Sequence, residues 1–180
     1  MLRNKKARLR AITAGAMMAA LSIILERIIA IMPASNMMDI RISLSNVPII
    51  LAGILVSPLV GGICGIVSDI VGCFISGYAP FPILTAAPFV MGALPALILL
   101  FLGKNYKNDK TFALWKVSVA ITISHLIASV FITTLGLCVM RGSYFIPMLA
   151  LRLPSIGINL VIDIVLVYLI LRTPISKKTL

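Results

Sequence analysis

The sequence predicts an all-α, polytopic membrane protein folded as a six-transmembrane-helix bundle, with a short second span and a proline-bent last helix. Three observations carry that expectation. The chain is 61% hydrophobic and 12% charged, with a mean hydropathy of +1.13. Its apolar runs reach the roughly 18 residues that cross a hydrocarbon core of about 30 Å. The few charges are sorted, with sixteen Lys and Arg against five Asp and Glu, and most of the cations lie in three short polar segments. No polar stretch is long enough for a soluble domain, so residues 1–180 are expected to form a single transmembrane domain.

The first apolar run, residues 11–32, follows a basic head of Arg3, Lys5, Lys6, Arg8 and Arg10. It is longer than the apolar core of a secretory signal and lacks a small-residue cleavage site, so it is expected to be retained as a span. The second run, 44–75, is interrupted at Ser57-Pro58. Proline lacks an N–H and disfavours helix at the preceding residue, which divides the run into 44–56 and 59–76. The first half spans about 20 Å at 1.5 Å per residue. It must therefore be buried in the bundle or sit where the membrane is thinned. Runs 83–102, 112–140 and 145–171 complete the six.

Charge demands the same division. Cytoplasmic loops are enriched in Lys and Arg, and a second basic segment holds Lys104, Lys107, Lys110 and Lys116. The basic head and this segment share a side only if an even number of spans separates them. The tail, with Arg172, Lys177 and Lys178, then places both termini in the cytoplasm. Loops 33–43, 77–82 and 141–147 face outward. Cations dispersed at span ends speak for topology, and no nucleic-acid partner is expected.

Arg27, Arg41, Arg141 and Arg152 are the exceptions, because they lie near the opposite ends of the runs. Glu26 and Asp39 are the acids nearby, so four cations against two acids leave a positive surplus that invites an anionic ligand. Arginine suits the task, since its planar fork holds a carboxylate or phosphate through two parallel hydrogen bonds. Arg152, in Leu151-Arg152-Leu153-Pro154, and Arg41 lead this group. Ser43, Asn46 and Asn159 offer polar groups on the same face, and Tyr78, Phe81 or Tyr144 offer rings to stack on. A carboxylate at membrane depth can accept parallel N–H bonds from an aminopyrimidinone edge; Glu26 and Asp69 are the candidates, with Asp163 behind them.

His125 stands alone in a predicted span and reads as a packed or interhelically hydrogen-bonded residue. Cys64, Cys73 and Cys138 sit in apolar runs without CxxC spacing, so neither a disulfide nor a metal is assigned. No cofactor is expected.

Small residues mark helix contacts. Ala11, Gly15 and Ala19 recur four apart on the first span with Ala16 and Ala20 beside them, and Gly61, Gly65, Ser68 and Gly72 form a second row. Such rows let helix backbones approach closely. The second row is expected to serve internal packing. The first serves either packing or docking of another membrane subunit, and the chain has no GxxxxGK[ST] phosphate-binding motif to energise transport by itself.

These residues resemble a known family, the substrate-binding S components of energy-coupling factor (ECF) vitamin transporters, and within it the folate-specific branch. The stretches that carry the resemblance are Arg41-Ile42-Ser43, Asn46-Val47-Pro48-Ile49-Ile50-Leu51-Ala52-Gly53, Gly61-Gly62 with Asp69 and Gly72, and Leu149-Ala150-Leu151-Arg152-Leu153-Pro154. The resemblance implies a high-affinity vitamin-binding subunit that does no covalent chemistry and captures its substrate from outside. It would associate with a shared transmembrane coupling subunit and two ATPase subunits, toppling in the bilayer to release the vitamin inside. The first small-residue row would be the contact with the coupling subunit. Folate suits an arginine-rich site through its two tail carboxylates and its pterin donors. Alternatives are an S component for riboflavin or thiamine, an intramembrane enzyme built on Glu26, Asp69 and His125, and an assembly subunit without a ligand.

Overall fold

The computed structural model describes residues 2–30, 43–77, 79–102 and 114–172, and every element among them is helical. Helix α1 covers Leu2–Ala30, α2 Asn46–Leu55, α3 Pro58–Ser76 and α4 Pro82–Leu102. The next rod, Leu114–Arg141, runs as α5 (Leu114–His125), a π-helical segment (Leu126–Thr133) and α6 (Thr134–Arg141). Helix α7 covers Phe145–Arg172. Five rods are long and apolar enough to cross a membrane, and α2 is the short sixth. Exposed Met17, Phe74, Phe101 and Ile146 are the side chains such a bundle presents to lipid.

The break at Ser57-Pro58 forms for the reason the sequence gives. Ser57 is extended, its hydroxyl oxygen accepts the Val60 N–H at 3.3 Å, and Pro58 fills the first helical position, where no N–H is needed. Helix α2 is shorter than expected, at ten residues, or about 15 Å. Leu44 and Ser45 precede it as non-helical chain. Every residue from Val47 to Ile54 is buried, so of the two expectations for a short span, burial inside the bundle is the one realised.

Close backbone approach explains how α2 fits. A methyl group on Gly53 would run into the Gly92 carbonyl oxygen, one on Gly61 would meet Gly92 and Gly53, and one on Gly65 would meet the Pro88 carbonyl. Three helices therefore touch at backbone distance. Helix α1 joins this block through Cys64 Sγ, which donates to the Gly15 carbonyl at 3.1 Å, and Ser68 Oγ, which donates to the Ala19 carbonyl at 3.4 Å. The second small-residue row thus packs internally, as expected.

Side-chain pairings give the directions. Helices α1 and α3 run parallel, because Gly15 meets Val60 and Glu26 meets Gly72. Helices α3 and α4 run antiparallel, as do α4 and the rod beginning with α5, since Gly136 meets Ile83 and Leu84. Glu26, Pro82, Arg141 and Phe145 consequently lie toward one end of the bundle. Gly77 (φ 75°) and Gly142 (φ 64°) end α3 and α6 at that end in the left-handed conformation that glycine adopts most readily. Near the other end, the Lys116 ammonium lies 5.8 Å from the Trp115 ring centroid, an aromatic and cationic anchor of the kind found at membrane interfaces.

Candidate functional site

The site is built on one face of α7. Arg152, Asn159 and Asp163 stand at i, i+7 and i+11, which places them on one side of a 3.6-residue helix over about 16 Å. Pro154 lies between the first two and has no N–H for the Ala150 carbonyl, so this stretch carries an irregular hydrogen-bond ladder.

Arg152 marks the end of the stripe nearest the α6–α7 turn. Its Nη1 donates to the Ser129 carbonyl at 3.3 Å and to the Thr134 hydroxyl at 3.1 Å. Both partners belong to the π segment or its C-terminal edge. There the wider turn is supported by hydroxyls five residues on, with Thr133 Oγ1 bonding the Ala128 carbonyl at 2.8 Å and Thr134 Oγ1 the Ser129 carbonyl at 3.1 Å. Helical π segments concentrate at functional sites.

Seven residues deeper, Asn159 Oδ1 accepts the Ser43 backbone N–H at 2.8 Å. The Ser43 and Ser45 hydroxyls lie 2.6 Å apart, and the buried Ser22 hydroxyl of α1 donates to the Ser45 carbonyl at 2.9 Å. One turn further, Asp163 Oδ2 accepts from Asn46 Nδ2 at 3.2 Å and lies 2.8 Å from His125 Nε2. The chain entering α2 is thereby stitched to α1 and α7, and Asp163 links α7 in turn to α5. His125 is the interhelically bonded histidine that the sequence suggested, and Asp163 is its partner. Both are almost wholly buried, at 2% and 0% exposure. Their remaining atoms, His125 Nδ1 and Asp163 Oδ1, have no hydrogen-bond partner among the described residues.

The other sequence candidates are distributed around this stripe. Asp69 is on α3, where Thr85 Oγ1 of α4 donates to its Oδ2 at 2.7 Å. Thr85 also edges an apolar surface groove formed with Ile66, Ile70, Pro82 and Phe89, a lining unsuited to an anion. The Glu26 carboxylate lies over Gly72, 3.3 Å from where a methyl there would sit. Phe81 is half-buried before α4, while Tyr144 is 86% exposed and Arg141 is exposed. Arg41 and Tyr78 lie outside the described residues, as does the side chain of Arg27. Among the described residues, no three His, Cys, Asp or Glu side chains gather as a metal would require. The first small-residue row divides: Gly15 and Ala19 are buried against α3, Ala11 is half-buried, and Ala16 and Ala20 are exposed.

Sequence reasoning singled out Ser43, Asn46, Arg152 and Asn159 but treated His125 as solitary. The spacing of Asn159 and Asp163, one turn apart and in register with Arg152, is the signal that would have placed Asp163 in the same group.

A helical membrane bundle whose interior carries a polar stripe beside a short buried helix has the makeup of a membrane-embedded binding protein. The chain belongs to the family described as ECF transporter, substrate-specific component, which matches residues 10–171. It is thus a membrane-localised, vitamin-type substrate-binding subunit of a transporter rather than an enzyme, and it works with other ECF components. No curated protein matches the sequence.

Proposed function

We propose that the substrate is folate, bound along the α7 stripe, and that the subunit captures it outside the cell and releases it inside once joined to a transmembrane coupling subunit and two ATPase subunits. The observation that carries this reading is the order of groups along α7: a guanidinium at Arg152, an amide at Asn159, and a buried carboxylate with its histidine at Asp163 and His125. A ligand suited to that order is anionic at one end and bears a hydrogen-bonding ring system at the other. Folate has this form, with two tail carboxylates and a pterin separated by an aromatic linker. Arg27 and Arg41 add positive charge near the outward ends of their apolar runs in the sequence. Ser43 and Asn46 bond directly to the stripe, and Ser43 follows Arg41 and Ile42 in sequence.

The bundle end holding Glu26 and Arg141 faces outward in this reading, and both termini are cytoplasmic. Ala16 and Ala20, exposed on α1, form the docking surface for the coupling subunit.

Equilibrium binding of folate, riboflavin and thiamine to the detergent-purified chain, without partners or ATP, tests the substrate. Saturable folate binding near one ligand per chain is the expected result. Selective binding of another vitamin would overturn folate while leaving the family intact.

A further inference from the structure

We infer that Thr134 is a positioning residue for the captured vitamin: together with the Ser129 carbonyl it holds the Arg152 guanidinium in the direction from which it meets the ligand's anionic tail. The inference rests on the reading that places Arg152 at that tail, and it adds what aims the arginine and what the π segment is for. Arginine has a long side chain that loses much conformational freedom when a ligand fixes it. One that is already held in its bound direction loses less on binding.

The Thr134 hydroxyl and the Ser129 carbonyl accept from the same nitrogen, Arg152 Nη1, at 3.1 and 3.3 Å. That nitrogen carries two hydrogens, so both acceptors can be engaged at once. The hydrogen of the Thr134 hydroxyl goes to the Ser129 carbonyl at 3.1 Å, which leaves the hydroxyl's lone pairs for Arg152. The three groups close a ring of hydrogen bonds in which each fixes the direction of the next. Thr134 is wholly buried, where such bonds are strengthened, while Arg152 is only partly buried and keeps accessible surface. Both partners are neutral, so they direct the guanidinium without meeting its charge. The π register builds this pair. In an α-helix a threonine hydroxyl reaches the carbonyl three or four residues back, whereas Thr134 at the end of Leu126–Thr133 reaches Ser129, five back.

The test is equilibrium binding to the full-length purified chain, with folic acid and with its dimethyl ester, whose tail is uncharged. Thr134→Val keeps the shape and removes the hydroxyl; it should weaken folic acid at least about fivefold and the ester by less than about twofold. Thr134→Ser, which keeps the hydroxyl, should restore folic acid binding. In the Arg152→Ala background Thr134→Val should weaken folic acid no further, a non-additivity that a merely structural threonine would not show. If Thr134→Val does not yield folded protein, Thr134→Cys carries the same comparison, because a thiol is a weak hydrogen-bonding group of similar size. Unchanged folic acid affinity in Thr134→Val, where Arg152→Ala weakens it, overturns the inference and leaves Arg152 at the tail. Equal loss of both ligands, or additive losses in the double variant, also overturns it and makes Thr134 a brace for the fold. Arg152→Ala without effect on folic acid removes the arginine from the site, and the inference with it. Failure of the wild type to bind folic acid overturns the folate reading itself, and the inference falls with that reading.

Discussion

The α1–α4 block and the α5–α7 block are held together by different means. In the first, backbones meet directly: Gly53, Gly61, Gly65 and Gly92 leave no room for a methyl, and Ile50 and Ile54 of α2 are fully buried among them. In the second, side-chain polar groups span the gaps: Arg152 bonds the π segment, and Asp163 meets His125 and reaches across to Asn46 of the first block. Lipid gives helices no hydrophobic reason to associate, so close packing and interhelical hydrogen bonds are the two available sources of cohesion. The block built on close packing is specified by shape and has little chemistry to offer a ligand. The block built on hydrogen bonds carries polar groups that a ligand can share, and the proposed binding stripe lies there.

The largest effect expected from breaking this contrast is at Gly61. Gly61→Leu would drive a side chain into Gly53 and Gly92 and should cost more than about 3 kcal/mol, read as loss of the folded, monodisperse species in thermal unfolding. Gly157, on α7 with nothing near its Cβ direction, is the matching position in the other block. Gly157→Ala should change stability by less than about 1 kcal/mol, in the stabilising direction, because alanine favours helix. Equal sensitivity at the two glycines would show that backbone packing does not distinguish the blocks.

Arg152 comes next. Arg152→Ala should weaken folate binding by about 2 kcal/mol or more if the guanidinium pairs a desolvated carboxylate. Titration of folate against wild type and variant measures this. A loss of thermal stability with unchanged affinity would make Arg152 a brace for the π segment through Ser129 and Thr134 and remove it from the ligand. Ser22 is a polar tie inside the first block, where a single hydroxyl donates to the Ser45 carbonyl at the start of α2. Ser22→Ala should cost about 0.6 kcal/mol, the usual scale for one interhelical hydrogen bond in a membrane, with the thermal midpoint as the measurement.

The first block was the more legible in sequence. Small residues at four-residue spacing and the Ser57-Pro58 break are local signals, and the capped start of α3 and the buried α2 realise them. Even there the length of α2 was overestimated, because an apolar residue beside a helix reads like one within it, and Leu44 is such a residue. The second block was legible by residue type but not by pairing. Ser43 and Asn159 are 116 residues apart in the chain and Asn46 and Asp163 are 117 apart. No periodicity within one helix reveals which rotation faces another. The π segment was invisible for a related reason: Leu126–Thr133 reads as an ordinary apolar helix, and the hydrogen bonds that mark it come from the backbone and from hydroxyls of Thr133 and Thr134.

The smallest effect on the isolated chain is expected at Ala16 and Ala20, and it separates cohesion within the subunit from cohesion with a partner. Gly15 and Ala19 are committed to α3, through Val60, Cys64 and Ser68, so enlarging them would disturb the first block itself. Ala16 and Ala20 stand one turn apart on the exposed side of the same helix, among the described residues. Ala16→Leu with Ala20→Leu should therefore alter stability and folate affinity by less than about 0.5 kcal/mol, the usual range for surface positions. A coupling subunit that approaches α1 at backbone distance would be held off by two leucines, so ATP-dependent folate uptake by the assembled transporter should be lost. Uptake retained at the wild-type rate would place the docking surface elsewhere and reduce the exposed alanines to ordinary lipid-facing residues. Impaired folding of the double variant would instead mean that this face of α1 packs against the subunit's own chain, which would extend the backbone-packed block to all sides of α1.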